Sequence, residues 1–246
     1  MGGRTDVHPQ ATPPESCQKP RWQSTRAIHL DSDRMNMRRR RSEWMHSFIH
    51  RVYESVAMYG AIGPGTSRGR RFAKFGEGSV ICFPHTTIFN EAYIEIGRNT
   101  MIGPNVALSA GMVPGQECVT KPVVRIGDRC LIGRGSGIVG HLAIDIGDDV
   151  WTGHHVYITD QNHGYEDPDA PVGWQRPSEA AVSIGSGSWL GANVVILPGT
   201  NLGRNTVVAA GAVVRGSFPD RVVLGGVPAK ILRAYDETKG WHRPGE

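Results

Sequence analysis

The chain has 246 residues, 39% hydrophobic and 20% charged, a balance that excludes a disordered or fibrous protein and allows a full buried core. Its 32 glycines follow no collagen-like period and gather in no single linker, so a regular structure with many tight backbone turns is implied. The net charge of +4 includes the run Arg38, Arg39, Arg40 and Arg41. Cys17, Cys82, Cys118 and Cys130 form no C-x-x-C pair, and no apolar run reaches the roughly 18 residues that a membrane span requires. With no apolar secretion segment near the start, the chain reads as a reduced, cytoplasmic protein.

Residues 1–35 mix Pro, Ser, Gln and charge without periodicity and are expected to be a disordered tail. Across 36–59, Trp44, Phe48, Ile49, Val52, Tyr53 and Val56 recur at helical spacing. This predicts an amphipathic helix, within an N-terminal segment 36–74 that ends in a Gly-rich connector. Two uses fit the stripe: packing on the main domain, or peripheral contact with a membrane surface through residues 38–56, because an Arg-rich entry precedes Trp and Phe. The arginine run would suit phosphates, anionic lipid heads or nucleic acid, or serve only as a solvated flank; no recognition motif accompanies it, so no nucleic-acid partner is expected.

The strongest signal is a six-residue period. Ile96, Ile102 and Leu108, then Ile126, Ile132 and Ile138, then Ile146, Thr152 and Ile158, then Ile184, Leu190, Ile196, Leu202, Val208 and Val214 share one register, aliphatic except at Thr152. Gly often comes next, and a small or β-branched residue such as Thr100, Val150 or Thr206 recurs four positions on. Residues six apart share no face of an α-helix, and a sandwich strand would alternate with period two. The pattern predicts an all-β solenoid, a parallel β-helix over 75–225, in which one aliphatic side chain per hexad points inward and stacks on the next coil. Residues 109–125 and 159–183 fall out of register and are expected as loops; the second is longer than turn closure needs, which points to function.

Hexads of the form Ile-Gly-x-x-Val-x, followed by Gly226-Val227-Pro228-Ala229-Lys230, resemble the hexapeptide-repeat acyltransferases, specifically the galactoside and maltose O-acetyltransferase branch, over about residues 75–236. The resemblance implies left-handed coiling, a short C-terminal helix within 226–246, and a homotrimer with three sites at its interfaces. It also implies acetyl-CoA or another acyl-CoA as co-substrate, with no metal. In that family the catalytic histidine stands in a loop entered from one hexad and left through a Trp-Ile-Gly coil. Here IDIGDDVWTGHHVYITDQNH leads in and VSIGSGSWLGANVVILPG leads out, which puts His163 at the catalytic position.

An imidazole can take the proton of an attacking alcohol at neutral pH, a contribution of about 10²- to 10⁴-fold. Asp160 and Asn162 flank His163 and are expected to orient the ring or bind the acceptor, although such residues also simply make turns. Ala192, Ala210, Arg215, Lys230 and Arg233 match positions that hold coenzyme A in the family; the bland reading of the alanines is a tight corner. Arg215-Gly216 stands where many relatives have Thr-Lys, and GSGIVGHL at 135–142 does not reproduce the asparagine-bearing acceptor segment of galactoside acetyltransferases. The expected acceptor is therefore a hydroxyl of a sugar, glycan or glycolipid precursor, not a galactoside in particular, and His141 reads better as a corner histidine than as a site residue. Two rival readings are a non-catalytic β-helix scaffold and a γ-carbonic-anhydrase-like metalloenzyme. His85, His141, His154, His155 and His163 suffice in number for the second, but the spacing of that family's ligands is not reproduced.

Overall fold

The computed structural model describes the backbone of residues 25–245 and the side chains of residues 35–245. Helix α1 runs Thr25–Gly60. It starts well before residue 36 because neither Pro nor Gly interrupts the chain between Pro20 and Gly60, and a helix once nucleated extends until a breaker stops it. Residues 1–24 of the expected tail lie outside the described residues, and α1 includes 25–35. The stripe residues Trp44, Phe48, Ile49, Val52, Tyr53 and Val56 are all exposed in the single chain. No helix among the described residues is long and apolar enough to cross a membrane.

From Lys74 to Gly226, the two short strands within 160–181 apart, the chain visits three sheets in fixed rotation, so every third of these strands is the next neighbour in its sheet. Sheet 1 contains Ile94–Ile96, Val124–Ile126, Ile144–Ile146, Val182–Ile184 and Asn201–Leu202. Sheet 2 contains Met101–Ile102, Leu131–Ile132, Trp151–Thr152, Trp189–Leu190 and Val207–Val208. Sheet 3 contains Ala107–Ala110, Gly137–Gly140, Tyr157–Thr159, Val195–Ile196 and Val213–Val214. All of these pair in parallel.

The register explains the hexad. In sheet 1 Ile96, Ile126, Ile146, Ile184 and Leu202 stand in one row, each at most 2% exposed. Each such side chain removed from water contributes about 1.5–3 kcal/mol. Thr152 breaks the aliphatic rule without an energetic penalty of the usual kind, since its buried hydroxyl accepts from the Gly133 N–H at 2.8 Å and donates to the Gly153 carbonyl at 3.1 Å. The recurring small position works similarly: Thr100 Oγ1 donates to Gly127 O at 2.7 Å and accepts from Cys130 N at 3.0 Å, tying consecutive coils at a corner.

The residue preceding each inward side chain faces outward, and the three sheets differ there. Sheet 1 presents Lys74, Glu95, Arg125, Asp145, Ser183 and Asn201 in register, with Arg125 bridging Glu95 at 3.3 Å and Asp145 at 3.4 Å. Sheet 2 presents Met101, Leu131, Trp151, Trp189, Val207 and Val223, and Trp151 and Trp189 are 57% and 50% exposed. Sheet 3 presents Ala107, Gly137, Tyr157, Val195 and Val213. One face is built for water and two are apolar.

Among the described residues the expected C-terminal helix is absent. Val222–Gly226 is followed by Ala229–Asp236 and Gly240–His242, which add antiparallel to the end of sheet 2. Pro228 reverses the chain, and the free edge of Val222–Gly226 offers unpaired backbone groups that a strand satisfies and a helix would not. Ile231 and Ala234 then pack on the core.

Replacing Ile146 by Ala should destabilise the protein by about 2–5 kcal/mol in denaturant unfolding, whereas Asp145→Ala, one residue away on the outer row, should change it by less than about 1 kcal/mol. Equal losses would contradict the inward stacking.

Candidate functional site

Both long insertions, 111–123 and 160–181, leave the fold at the edge where sheet 3 hands over to sheet 1; the other crossings of that edge, 141–143, 197–200 and 215–216, are no longer than ordinary turns. The 160–181 segment is an arm rather than a loose loop. Gln161–Asn162 pairs antiparallel with Ser178–Glu179, joining Gln161 to Glu179 and Asn162 to Ser178. Further out, Gly164 lies so close to the opposite limb that a Cβ there would sit 2.5 Å from the Arg176 carbonyl oxygen. The tip is tied by Gln175, whose Oε1 accepts from Asp167 N at 3.0 Å while Nε2 donates to Asp167 O at 2.9 Å and Ala170 O at 3.0 Å.

Asp160 roots this arm. It is fully buried, and its carboxylate accepts the backbone N–H groups of His141 and Leu142 at 2.8 Å and of Ala143 at 2.7 Å. Its oxygens are engaged by the neighbouring coil and closed to solvent in the single chain. A second tie comes from His141, whose side chain is 4% exposed and whose Nδ1 lies 3.2 Å from Glu179 Oε1. His141 is a corner histidine, as its sequence context suggested, and its partner Glu179 went unnoticed in the sequence. Gln161 was missed too; its Oε1 is buried with no hydrogen-bond partner.

Three residues beyond Asp160, His163 is exposed, and no hydrogen bond from the described residues engages its ring. Asn162 beside it is exposed as well. A strand that ends in the pairing of Asn162 with Ser178 delivers the imidazole to solvent from a fixed base.

The residues expected to hold coenzyme A lie elsewhere. Ala192 and Ala210 stack on the edge between sheets 2 and 3, where the Gly211 N–H donates to Ala192 O at 2.9 Å and a Cβ on Gly191 would meet Ala210 N at 2.6 Å. Towards the N-terminus the same column holds His154, Arg134 and Pro104, linked through Asn193 N to His154 O, His155 N to Arg134 O and Gly135 N to Pro104 O. Lys230 pairs with Gly225 beyond the C-terminal end of that column, and Arg233 pairs with Val223. Arg215 instead follows Val213–Val214 on the insertion edge with the arm. Thus the structure groups Ala192, Ala210 and Lys230, and separates them from His163 by the width of sheet 3. Among the described residues no group of three or more His, Cys, Asp or Glu side chains could hold a metal ion.

Residues 181–216 match the family model described as bacterial transferase hexapeptide (six repeats), and residues 123–159 match the hexapeptide repeat of succinyl-transferase. The arm bearing His163 falls between the two. Over 172 residues the chain is 36% identical to the lipopolysaccharide biosynthesis O-acetyl transferase WbbJ of Escherichia coli K12, covering 67% of this chain and 83% of that protein. It is 26% identical over 151 residues to the galactoside O-acetyltransferase of Escherichia coli K12, covering 61% of this chain and 68% of that one. In fold it is similar to AntD, an N-acyltransferase from Bacillus cereus solved with dTDP and 3-hydroxybutyryl-CoA, with a TM-score of 0.57 at 20% identity over 72% of this chain and 93% of AntD.

Asp160→Ala strands three buried N–H groups, each worth about 1–3 kcal/mol when left unsatisfied. Amide hydrogen exchange should accelerate across 141–143 and 160–181 while the rows of sheets 1 and 2 stay protected. Unchanged exchange in the arm would mean that something other than Asp160 roots it.

Proposed function

The chain belongs to the hexapeptide-repeat acyltransferase family, in its galactoside and maltose O-acetyltransferase branch, and on that premise we propose that His163 is the general base of an acyl-CoA-dependent O-acyltransferase. The observation that carries this reading is an exposed, unengaged imidazole on a braced arm between the two family-matched segments. The names of the relatives support a sugar, glycan or glycolipid-precursor hydroxyl as acceptor.

In the reaction the acceptor oxygen attacks the thioester carbonyl carbon while the imidazole takes its proton. The carbon–sulfur bond then breaks, and the imidazolium returns the proton to the departing coenzyme A thiolate. A hydroxyl is too weak a nucleophile unaided, and a neutral imidazole can accept its proton as it attacks. Asp160 and the His141–Glu179 pair serve the step indirectly, by fixing the arm.

We read the coils as left-handed and the working form as a homotrimer. Support comes from the outward rows: apolar sheets 2 and 3 flank one edge and face solvent in a lone chain, whereas sheet 1 is already polar. Contiguous exposed apolar surface of that kind marks an association face. Support comes also from the separation of His163 from Ala192, Ala210 and Lys230, since a second copy can bring one chain's arm to another chain's sheet 2–sheet 3 edge. The alanines leave the backbone open to the pantetheine arm of coenzyme A, and Lys230, Arg233 and Arg215 offer cations for its phosphates.

Free-thiol release from acetyl-CoA against a panel of mono- and oligosaccharides tests the chemistry. The wild type should show acceptor-dependent release, and His163→Ala should lose at least about 100-fold. Equal rates in both would remove His163 as the base. Trp189→Glu should lower the mass found by light scattering to that of one chain, because a charge cannot be buried unpaired in an apolar contact; an unchanged mass would move the interface off sheet 2.

A further inference from the structure

Helix α1 carries an amphipathic surface that the transferase reading leaves without a role. At 100° per residue, Trp44, Met45, Phe48, Ile49, Val52 and Val56 fall within an arc of about 140°. All six are exposed, at 64%, 50%, 51%, 58%, 45% and 48%. Trp44 and Phe48 stack with ring centroids 5.5 Å apart, making one broad aromatic plate on that arc. The opposite arc is polar, with Arg39 paired to Glu43 at 3.1 Å and His46 beside His50 at 3.2 Å.

Charge identifies the occupant. Between residues 37 and 59 five arginines face two glutamates, and four of the arginines are consecutive, Arg38–Arg41. Helical rotation sets Arg38 and Arg41 on the apolar arc itself, at its N-terminal end. In a seam between two helix copies those guanidinium groups would be buried against each other. At a bilayer surface their aliphatic stems lie along the acyl boundary while the charged ends reach lipid phosphates, and the indole of Trp44 takes the interfacial position that it favours. No helix among the described residues is long and apolar enough to cross a membrane, so the geometry is that of a helix lying in the surface plane.

We propose that α1, from about Met37 to Tyr59, is a peripheral anchor for an anionic phospholipid surface. Three such helices in one assembly would act together, so that weak individual contacts give firm attachment. The anchor would keep the transferase where an acceptor hydroxyl is carried on a lipid. That purpose and the threefold avidity rest on the proposed function, whereas the membrane contact itself does not.

The test is flotation of the full chain with vesicles of phosphatidylcholine alone or mixed with phosphatidylglycerol. The wild type should float with the anionic vesicles, less so as salt is raised. The double variant Trp44→Ser, Phe48→Ser and the quadruple variant Arg38→Gln, Arg39→Gln, Arg40→Gln, Arg41→Gln should each bind at least about tenfold more weakly. Circular dichroism and thiol release with a soluble acceptor should be unchanged in both, and His163→Ala should float like the wild type, which separates failure of the anchor from failure of the catalytic reading. Wild type left behind by anionic vesicles, or variants that float equally well, would overturn the proposal. So would a drop in assembly mass in the Trp44→Ser, Phe48→Ser variant, which would make α1 an association helix.

Discussion

The in-register stacking of one hexad position on itself is the constraint from which the other features follow. A single coil of this chain buries almost nothing; Ile126 leaves water only because Ile96 lies on one side of it and Ile146 on the other. Backbone hydrogen bonds run between coils as well, so both ends of the stack present unsatisfied groups and have to be closed. At the N-terminal end Ile62 bridges Ile81, and the buried carboxylate of Glu91 is held by Arg68 at 3.2 Å and Arg71 at 3.3 Å. At the C-terminal end the antiparallel strand Ala229–Asp236 covers Val222–Gly226.

The same constraint dictates where function can reside. An insertion within a strand would shift the register and turn every later aliphatic residue outward. Insertions are therefore confined to a corner, and this chain uses the sheet 3–sheet 1 corner for all of them. An arm grown there would be mobile without further support, and Asp160, Gln175 and the His141–Glu179 contact supply that support. Ala192 and Ala210, which we propose approach coenzyme A, sit on the tight sheet 2–sheet 3 edge instead, where Gly191 allows Ala210 to stack. Rigid coils thus keep His163 and the Ala192–Ala210 edge at fixed but distant places on one chain.

Much of this was readable in the sequence because the hexad is a local, repeating code. The inward rows, the corners and both interruptions follow from counting by six. The outward rows were equally readable and were overlooked: the residue before each inward aliphatic is Glu95, Arg125, Asp145 on one face and Met101, Leu131, Trp151 on the next. Other features were not legible, since they depend on contacts distant in sequence. Asp160 looks like a site residue because it precedes His163 by three positions, yet its burial follows from three N–H groups of the preceding coil. The C-terminal segment has alternating apolar residues that fit a strand, but only the open edge of Val222–Gly226 decides the matter. Composition alone suggests disorder before residue 36, whereas the lack of helix breakers between Pro20 and Gly60 is compatible with α1 starting at Thr25.

We propose that each active site is completed by two chains, one giving His163 and the other the Ala192 and Ala210 edge. Mixed assemblies of two inactive variants test this most directly: His163→Ala supplies an intact edge, and Ala192→Trp, which blocks the edge, supplies an intact arm. Refolded or co-expressed together, they should regain acceptor-dependent thiol release, because some interfaces pair a working arm with a working edge. If the mixed assemblies form yet stay as inactive as either parent, each site lies within a single chain, and the shared-site account is wrong.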